Sequence, residues 1–152
     1  MAAVMCLTLS PFAHTTRKDA KPVRFSFGKY KVLFVNVQVE RHDTVFILDT
    51  GSTITYVDVD ALQLHLKPEF TTPVQAANQR WQARVYRLHI RLGEEKFEGQ
   101  FAEVDLTGTL QACSCQVDGF LGMDVLSRCS SVEIDFRESI HAAHTLSKLG
   151  YA

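Results

Sequence analysis

The chain lacks any apolar run approaching the roughly 20 residues that a membrane-spanning helix requires, so nothing in its 152 residues reads as a transmembrane segment. It also lacks a dominant charge. Its 16 basic and 17 acidic residues nearly cancel, for a formal net charge of −1. That balance generates no large field and gives no support to nucleic acid or an anionic membrane as a partner. Cysteine is scarce: Cys6, Cys113, Cys115 and Cys129 are irregularly spaced in a chain too long to depend on a disulfide framework. Cys113 and Cys115 are too close in sequence to bridge without strain. Trp81 is the single tryptophan, and there is neither an internal repeat nor a low-complexity tract. What remains is an ordinary globular composition and a length suited to one domain with a proper core.

What is present is mainly period-two alternation. From Lys31 to Glu40, Leu33, Val35, Val37 and Val39 share one face opposite a mixed one, the pattern of a half-buried strand. Arg41-His42-Asp43 reads as a turn, and Thr44 to Leu48 as a short apolar strand buried on both sides. Thr53 to Val57, rich in β-branched residues, reads as another strand. Asp58 or Asp60 is placed to cap a short helix carrying Ala61, Leu62, Leu64 and Leu66, which Pro68 ends. Arg84 to Leu92 alternates again, with Tyr86, Leu88, Ile90 and Leu92 against arginines on a solvated face. Gly93-Glu94-Glu95 turns it into Lys96 to Leu106, making a long hairpin. Thr107 to Val117 reads as a loop, a short helix follows Gly122, and Val132 to Phe136 is the last clear strand. The sum is a mainly β domain over residues 23–140 with one or two short helices.

Residues 1–22 read as an N-terminal tail. Ala2 to Ala13 is mostly apolar and uncharged; it resembles the apolar part of a secretory signal without the positive leader, which leaves export, membrane association and a cytoplasmic location open. Residues 14–22 form a polar linker. Residues 141–152 read as a C-terminal tail, in which His141 and His144 have helical metal-site spacing but no carboxylate or cysteine nearby to complete a site. No metal and no cofactor is expected.

The chemistry concentrates in two places. Asp49-Thr50-Gly51-Ser52 stands directly behind Val45-Phe46-Ile47-Leu48, so a buried strand delivers a carboxylate into a tight glycine-containing turn. About seventy residues later, Gly119-Phe120-Leu121-Gly122 brackets two large apolar residues with glycines, and Asp124 opens the short helix. Asp-Thr-Gly alone is weak, because Asp and Gly are common turn residues and the triplet arises by chance in a few per cent of chains this long. The apolar lead-in, the hydroxyl residue that follows and the second motif at this separation make the combination specific.

Together these motifs resemble the retropepsin-like aspartic proteases, and the pattern from Glu103 to Phe136 is most similar to the single-domain bacterial branch. The resemblance covers about residues 23–140. It implies a closed acid-protease β-barrel with one Asp-Thr-Gly lobe. Two such turns make one catalytic site, so it also implies a homodimer that hydrolyses an extended peptide or protein substrate without a cofactor or nucleic acid. In that family Asp49 is the catalytic acid, one from each chain. By resemblance, the Thr50 hydroxyl locks the two turns across the dimer axis, Gly51 lets the substrate backbone approach, and Ser52 hydrogen-bonds the outer oxygen of the Asp49 carboxylate. Gly119 to Gly122 passes beside the catalytic loop with Phe120 and Leu121 packed beneath it. Asp124 is expected to cap the helix N-terminus in preference to contacting a neighbouring loop.

The segment Pro73 to Arg84 falls where the family carries its flap, a hairpin that closes over substrate. That places Ala77, Asn78, Gln79 and Trp81 over the cleft, with Trp81 either covering substrate or packing on the barrel. The glycine-rich tip of the retroviral enzymes is missing. So is their interface ion pair, whose positions here are Thr53 and Met123, which leaves the terminal strand Val132 to Phe136 as the expected dimer contact. Two other readings stay open: a catalytically silent peptide-binding or assembly module on the same fold, and a small-molecule or metal-binding β-barrel in which the motif is coincidence.

Overall fold

Alternation becomes strand almost wherever the sequence carries it. The computed structural model describes residues 3–8, 22–27, 32–76, 79–106, 116–129 and 131–135. These form strands β1 (Ala3–Thr8), β2 (Pro22–Phe27), β3 (Leu33–Val39), β4 (His42–Leu48), β5 (Tyr56–Val57), β6 (Phe70–Ala76), β7 (Gln79–Leu92), β8 (Glu95–Glu103), β9 (Gly119–Leu121) and β10 (Ser131–Asp135). One helix, α1 (Met123–Leu126), follows β9. Ala77, Asn78, Cys113, Cys115, His141, His144 and most of the polar linker lie outside the described residues.

The sheet order is β10-β1-β2-β3-β4-β9-β5-β8-β7-β6, and a further pairing of β3 with β7, Gln38 opposite Arg91 and Val39 opposite Ile90, closes the six middle strands into a barrel. Side chains alternate along each strand, so each contributes one face to the interior. Val35, Val37 and Val39 enter from β3, Phe46 from β4, Leu88, Ile90 and Leu92 from β7, Phe97 and Phe101 from β8, and Leu121 from β9, none of them more than 2% exposed. Each such burial contributes about 1.5–3 kcal/mol. The outer face of β7 is solvated as expected, with Arg84 paired to Glu103 and Asp60 and Arg87 to Glu69.

Several local expectations are corrected. The β3–β4 turn lies at Glu40-Arg41, since Val39 pairs with His42. Glu40 takes the left-handed φ of 55°, uncommon for a residue with a Cβ. It is held there because its amide donates to the His89 carbonyl at 2.8 Å and its carboxylate accepts from the His89 amide at 2.9 Å. Along β4, Thr44, Phe46 and Leu48 are buried while Val45 and Ile47 are half-buried, so the outer face is only partly covered. The segment after Asp58 forms turns instead of a helix, with Gln63 at φ 52° breaking any helical run. Ala3–Thr8, in the segment read as a tail, is a strand of the main sheet: Met5 pairs with Val23 on one side and Ile134 on the other.

Strand β9 is the tightest part of the fold. It runs parallel to β4, with Phe46 opposite Gly119, and antiparallel to β5, with Tyr56 opposite Phe120. A Cβ on Gly119 would lie 2.3 Å from the Tyr56 carbonyl oxygen and 2.6 Å from the Phe46 ring; one on Gly122 would lie 2.4 Å from the Ile54 carbonyl oxygen. The glycines of the second motif exist to let backbones meet. Gly119→Ala and Gly122→Ala are each expected to cost about 1–3 kcal/mol through forced backbone shifts, read as a lower urea midpoint. Gly99→Ala, where the nearest atom is a Phe101 ring carbon at 3.3 Å, is expected to change the midpoint much less.

Candidate active site

The ladder between β4 and β9 runs on past the end of β4, because the Asp49 amide donates to the Leu121 carbonyl at 3.0 Å. The chain then turns on itself. Ser52 N–H donates to the Asp49 carbonyl at 3.2 Å, and Gly51 N–H donates to Asp49 Oδ1 at 3.0 Å. The turn therefore grips the carboxylate that it presents. A Cβ on Gly51 would sit 3.2 Å from that same oxygen, so glycine is needed here to keep the amide and carboxylate together. Asp49 is half-buried, and Thr50 and Gly51 are exposed.

Ser52 does not take the role expected of it. Its hydroxyl donates to the Ile54 carbonyl at 2.7 Å and so fixes the exit of the turn, while the Ser52 carbonyl accepts from the Met123 amide at 2.9 Å. Asp124 is also corrected. The N-cap of α1, Gly122, has no side-chain cap, and the Asp124 carboxylate instead reaches the neighbouring loop. Its Oδ2 accepts from the Thr55 amide at 3.0 Å, and its Oδ1 accepts from the Thr55 hydroxyl at 2.6 Å and from the Val125 amide at 2.9 Å. The fully buried Thr55 hydroxyl oxygen in turn accepts from the Gly122 amide at 2.9 Å.

Two further acids brace this region: Asp118, which the sequence reading did not single out, and Asp58, expected there only as a cap of the segment that follows it. Asp118 is buried; its Oδ2 accepts from the Val45 amide at 2.9 Å, and its own amide donates to the Val45 carbonyl at 2.8 Å. Buried Asp58 accepts from the Ala61 and Leu106 amides at 2.9 and 3.0 Å. Among the described residues no group of three or more histidine, cysteine or acidic side chains is placed to hold a metal.

Asp49 opens on a cleft of about 600 Å³ lined by Gly51, Tyr56, Gln79, Trp81 and Phe120 among others. Trp81 and Gln79 come from the β6–β7 hairpin, in which Val74 pairs with Trp81 and Ala76 with Gln79. Trp81 both packs and lines: its ring lies 6.1 Å from that of Tyr56, and it also borders the cleft. Phe120 is half-buried and lines the cleft, whereas Leu121 is in the core, so only one of the pair packs beneath the loop. Tyr56 was missed. Its signal was the alternation itself, since burying Val57 turns Tyr56 to the opposite face. Burial, followed by the charges of Asp124 and Asp49, pushes the Tyr56 phenol above its usual range and keeps it a neutral donor.

Removing the Asp124 acceptors strands a buried amide and hydroxyl. Asp124→Ala is expected to lower unfolding free energy by about 1–3 kcal/mol and to speed amide exchange at Thr55 and Gly122. Asp124→Asn, which keeps one acceptor oxygen, is expected to fall between it and wild type.

Residues 35–125, more than half of the chain, match a family model described as aspartyl protease. The retropepsin-like aspartic protease from Rickettsia conorii superposes with a TM-score of 0.55 at 22% identity, over 73% of this chain and 82% of its own. The EIAV protease, complexed with the inhibitor HBY-793, superposes with a TM-score of 0.51 at 12% identity, over 67% of this chain and 91% of its own. At such identities the structural likeness is one of fold. No curated protein matches the chain in sequence. The family match contains the gripped Asp49 turn together with Gly119 and Gly122, and the chain belongs to the aspartyl protease family, with a retropepsin-like mainly β fold.

Proposed function

We propose that the protein is an aspartic endopeptidase that works as a homodimer, with Asp49 of each protomer supplying half of one catalytic pair. The observation that carries this reading is the Asp49 carboxylate, held by its own turn at the edge of a cleft, in a chain with a single Asp-Thr-Gly turn. Thr50, exposed beside it, is available to the partner's turn across the axis. The sheet ends at β10 on one side, which supports a terminal-strand contact between protomers.

Two adjacent carboxylates cannot both ionise comfortably, so they share one proton and titrate as a pair. The ionised Asp49 takes a proton from water, whose oxygen attacks the scissile carbonyl carbon. The protonated Asp49 gives its proton to the carbonyl oxygen, forming a tetrahedral diol. Collapse of the diol breaks the C–N bond. The leaving nitrogen takes up a proton from the pair, and one diol proton returns to restore the starting state. The substrate lies extended between the Asp49 turn and the β6–β7 hairpin, where exposed Gly51 leaves room for its backbone. Loss of the shared proton ends activity on the alkaline side, and gain of a second ends it on the acid side.

The test is cleavage of a diverse peptide library across pH by wild type and Asp49→Asn, with the solution mass of each measured. Wild-type dimers are expected to cleave, and the variant to lose on the order of 10²–10⁴-fold in rate while remaining dimeric. Equal cleavage by the variant would overturn the mechanism. Matching dimers without cleavage in either would favour a peptide-binding module on the same fold.

A further inference from the structure

We propose that a notch in the barrel wall, between Arg24 of β2 and Arg91 of β7, binds a phosphoryl group carried by free phosphate or by a small phosphate ester. The inference is independent of the protease reading. The notch shares no lining residue with the Asp49 cleft. Asp43 in the notch and Asp49 stand at opposite ends of β4, about 20 Å apart at the usual rise of a strand.

The notch exists because β3 changes partners along one edge. Its other edge is held by β4 from Phe34 to Val39. On the free side, Leu33 to Val35 pair with β2, and Gln38 and Val39 pair with β7. Asn36 and Val37, between them, pair with neither strand, and the Val23-Arg24 end of β2 pairs with β1 alone. The wall therefore forks at Asn36. The opening measures about 530 Å³, within the range of small-molecule sites. Arg24, Asn36, Gln38, Asp43 and Arg91 are among the residues that line it, with buried Val23 and Val37 behind them.

Charge is unbalanced at this fork and balanced along the rest of β7. Arg84 pairs with Glu103 and Asp60, and Arg87 with Glu69 and Glu98. Arg24 and Arg91 have no carboxylate partner among the described residues. Asp43 is the one carboxylate lining the notch among them, and the Gln38 side chain already donates to its Oδ1 at 3.0 Å. Directly across from Arg91 on β8 stands Lys96, and like charges so placed repel. An anion between the two guanidiniums relieves that repulsion and bridges the arms of the fork. A phosphoryl dianion suits the place better than a carboxylate. It carries three acceptor oxygens, enough to engage a planar donor fork from each side, where a carboxylate satisfies one. The Asn36 amide adds a neutral donor, and Asp43 is placed to accept from a hydroxyl of an ester.

The test is calorimetric titration of the full chain near neutral pH and at fixed ionic strength, with inorganic phosphate and with glycerol 3-phosphate. At a phosphate concentration ten times its Kd, the thermal midpoint is expected to rise by about 3–6 °C. Arg24→Gln and Arg91→Gln are each expected to weaken binding about tenfold or more. Both side chains are exposed, and an unchanged midpoint without phosphate verifies that each variant folds. Asp43→Asn is expected to act in the opposite direction and tighten the binding of inorganic phosphate. Lys67→Gln removes an exposed cation outside the notch and is expected to change nothing. Tighter binding of the ester than of phosphate assigns the site to a small phosphorylated molecule, and equal binding assigns it to free phosphate; either upholds it. No saturable binding, wild-type binding by both arginine variants, or an equal loss in Lys67→Gln would overturn the proposal.

Discussion

Strand β9 lies between β4 and β5 with no room for a side chain at Gly119 or at Gly122 just beyond it, and the position of Asp49 follows from that contact. The backbones come so close that Leu121 receives the Asp49 amide, Met123 donates to Ser52, and Thr55 spans Gly122 and Asp124. The turn carrying the carboxylate has no regular secondary structure of its own. It is fixed at its start and its end by a segment about seventy residues away in sequence. Such a site cannot form locally, because the loop between the two motifs must close before any of these bonds exists. The result is a carboxylate presented by a turn that is held from outside, with its Oδ1 accepting from the Gly51 amide.

The same junction explains where polar groups are buried. Strands of two and three residues, β5 and β9, supply few ladder bonds, so side chains provide the rest. Asp118 takes the Val45 amide, Asp58 takes those of Ala61 and Leu106, and Asp124 takes that of Thr55. No buried side-chain nitrogen or oxygen among the described residues is left without a partner. A satisfied polar network of this kind is intolerant of partial loss, since each removed acceptor leaves a dehydrated donor behind.

The sequence made the barrel legible through period two and the acid through its apolar lead-in. Val35, Val37 and Val39, and Leu88, Ile90 and Leu92, are buried as their alternation demands. The choice of hydrogen-bond partner was not legible. Ser52 has the Ile54 carbonyl within reach and takes it; Asp124 has a buried Thr55 beside it, and that outweighs a single helical turn. Periodicity says which face a side chain occupies but not what stands opposite, and Tyr56 was overlooked for that reason. Ala3–Thr8 shows the same limit. Six mostly apolar, uncharged residues suit a targeting segment or a strand equally well, and the deciding partner, β10, lies more than 120 residues further along.

The two sides of the cleft are built to different standards. One side belongs to a closed barrel in which every strand is paired on both sides. The other side is bordered by the β6–β7 hairpin, and among the described residues β6 pairs with β7 alone. Pro73 sits within β6 opposite Gln82, a place open to proline because an edge strand need not donate on its outer side. With few buried neighbours beyond Val74 and Ala83, the outer hairpin opens at lower cost than the barrel. On the cleft side, its Trp81 packs against Tyr56.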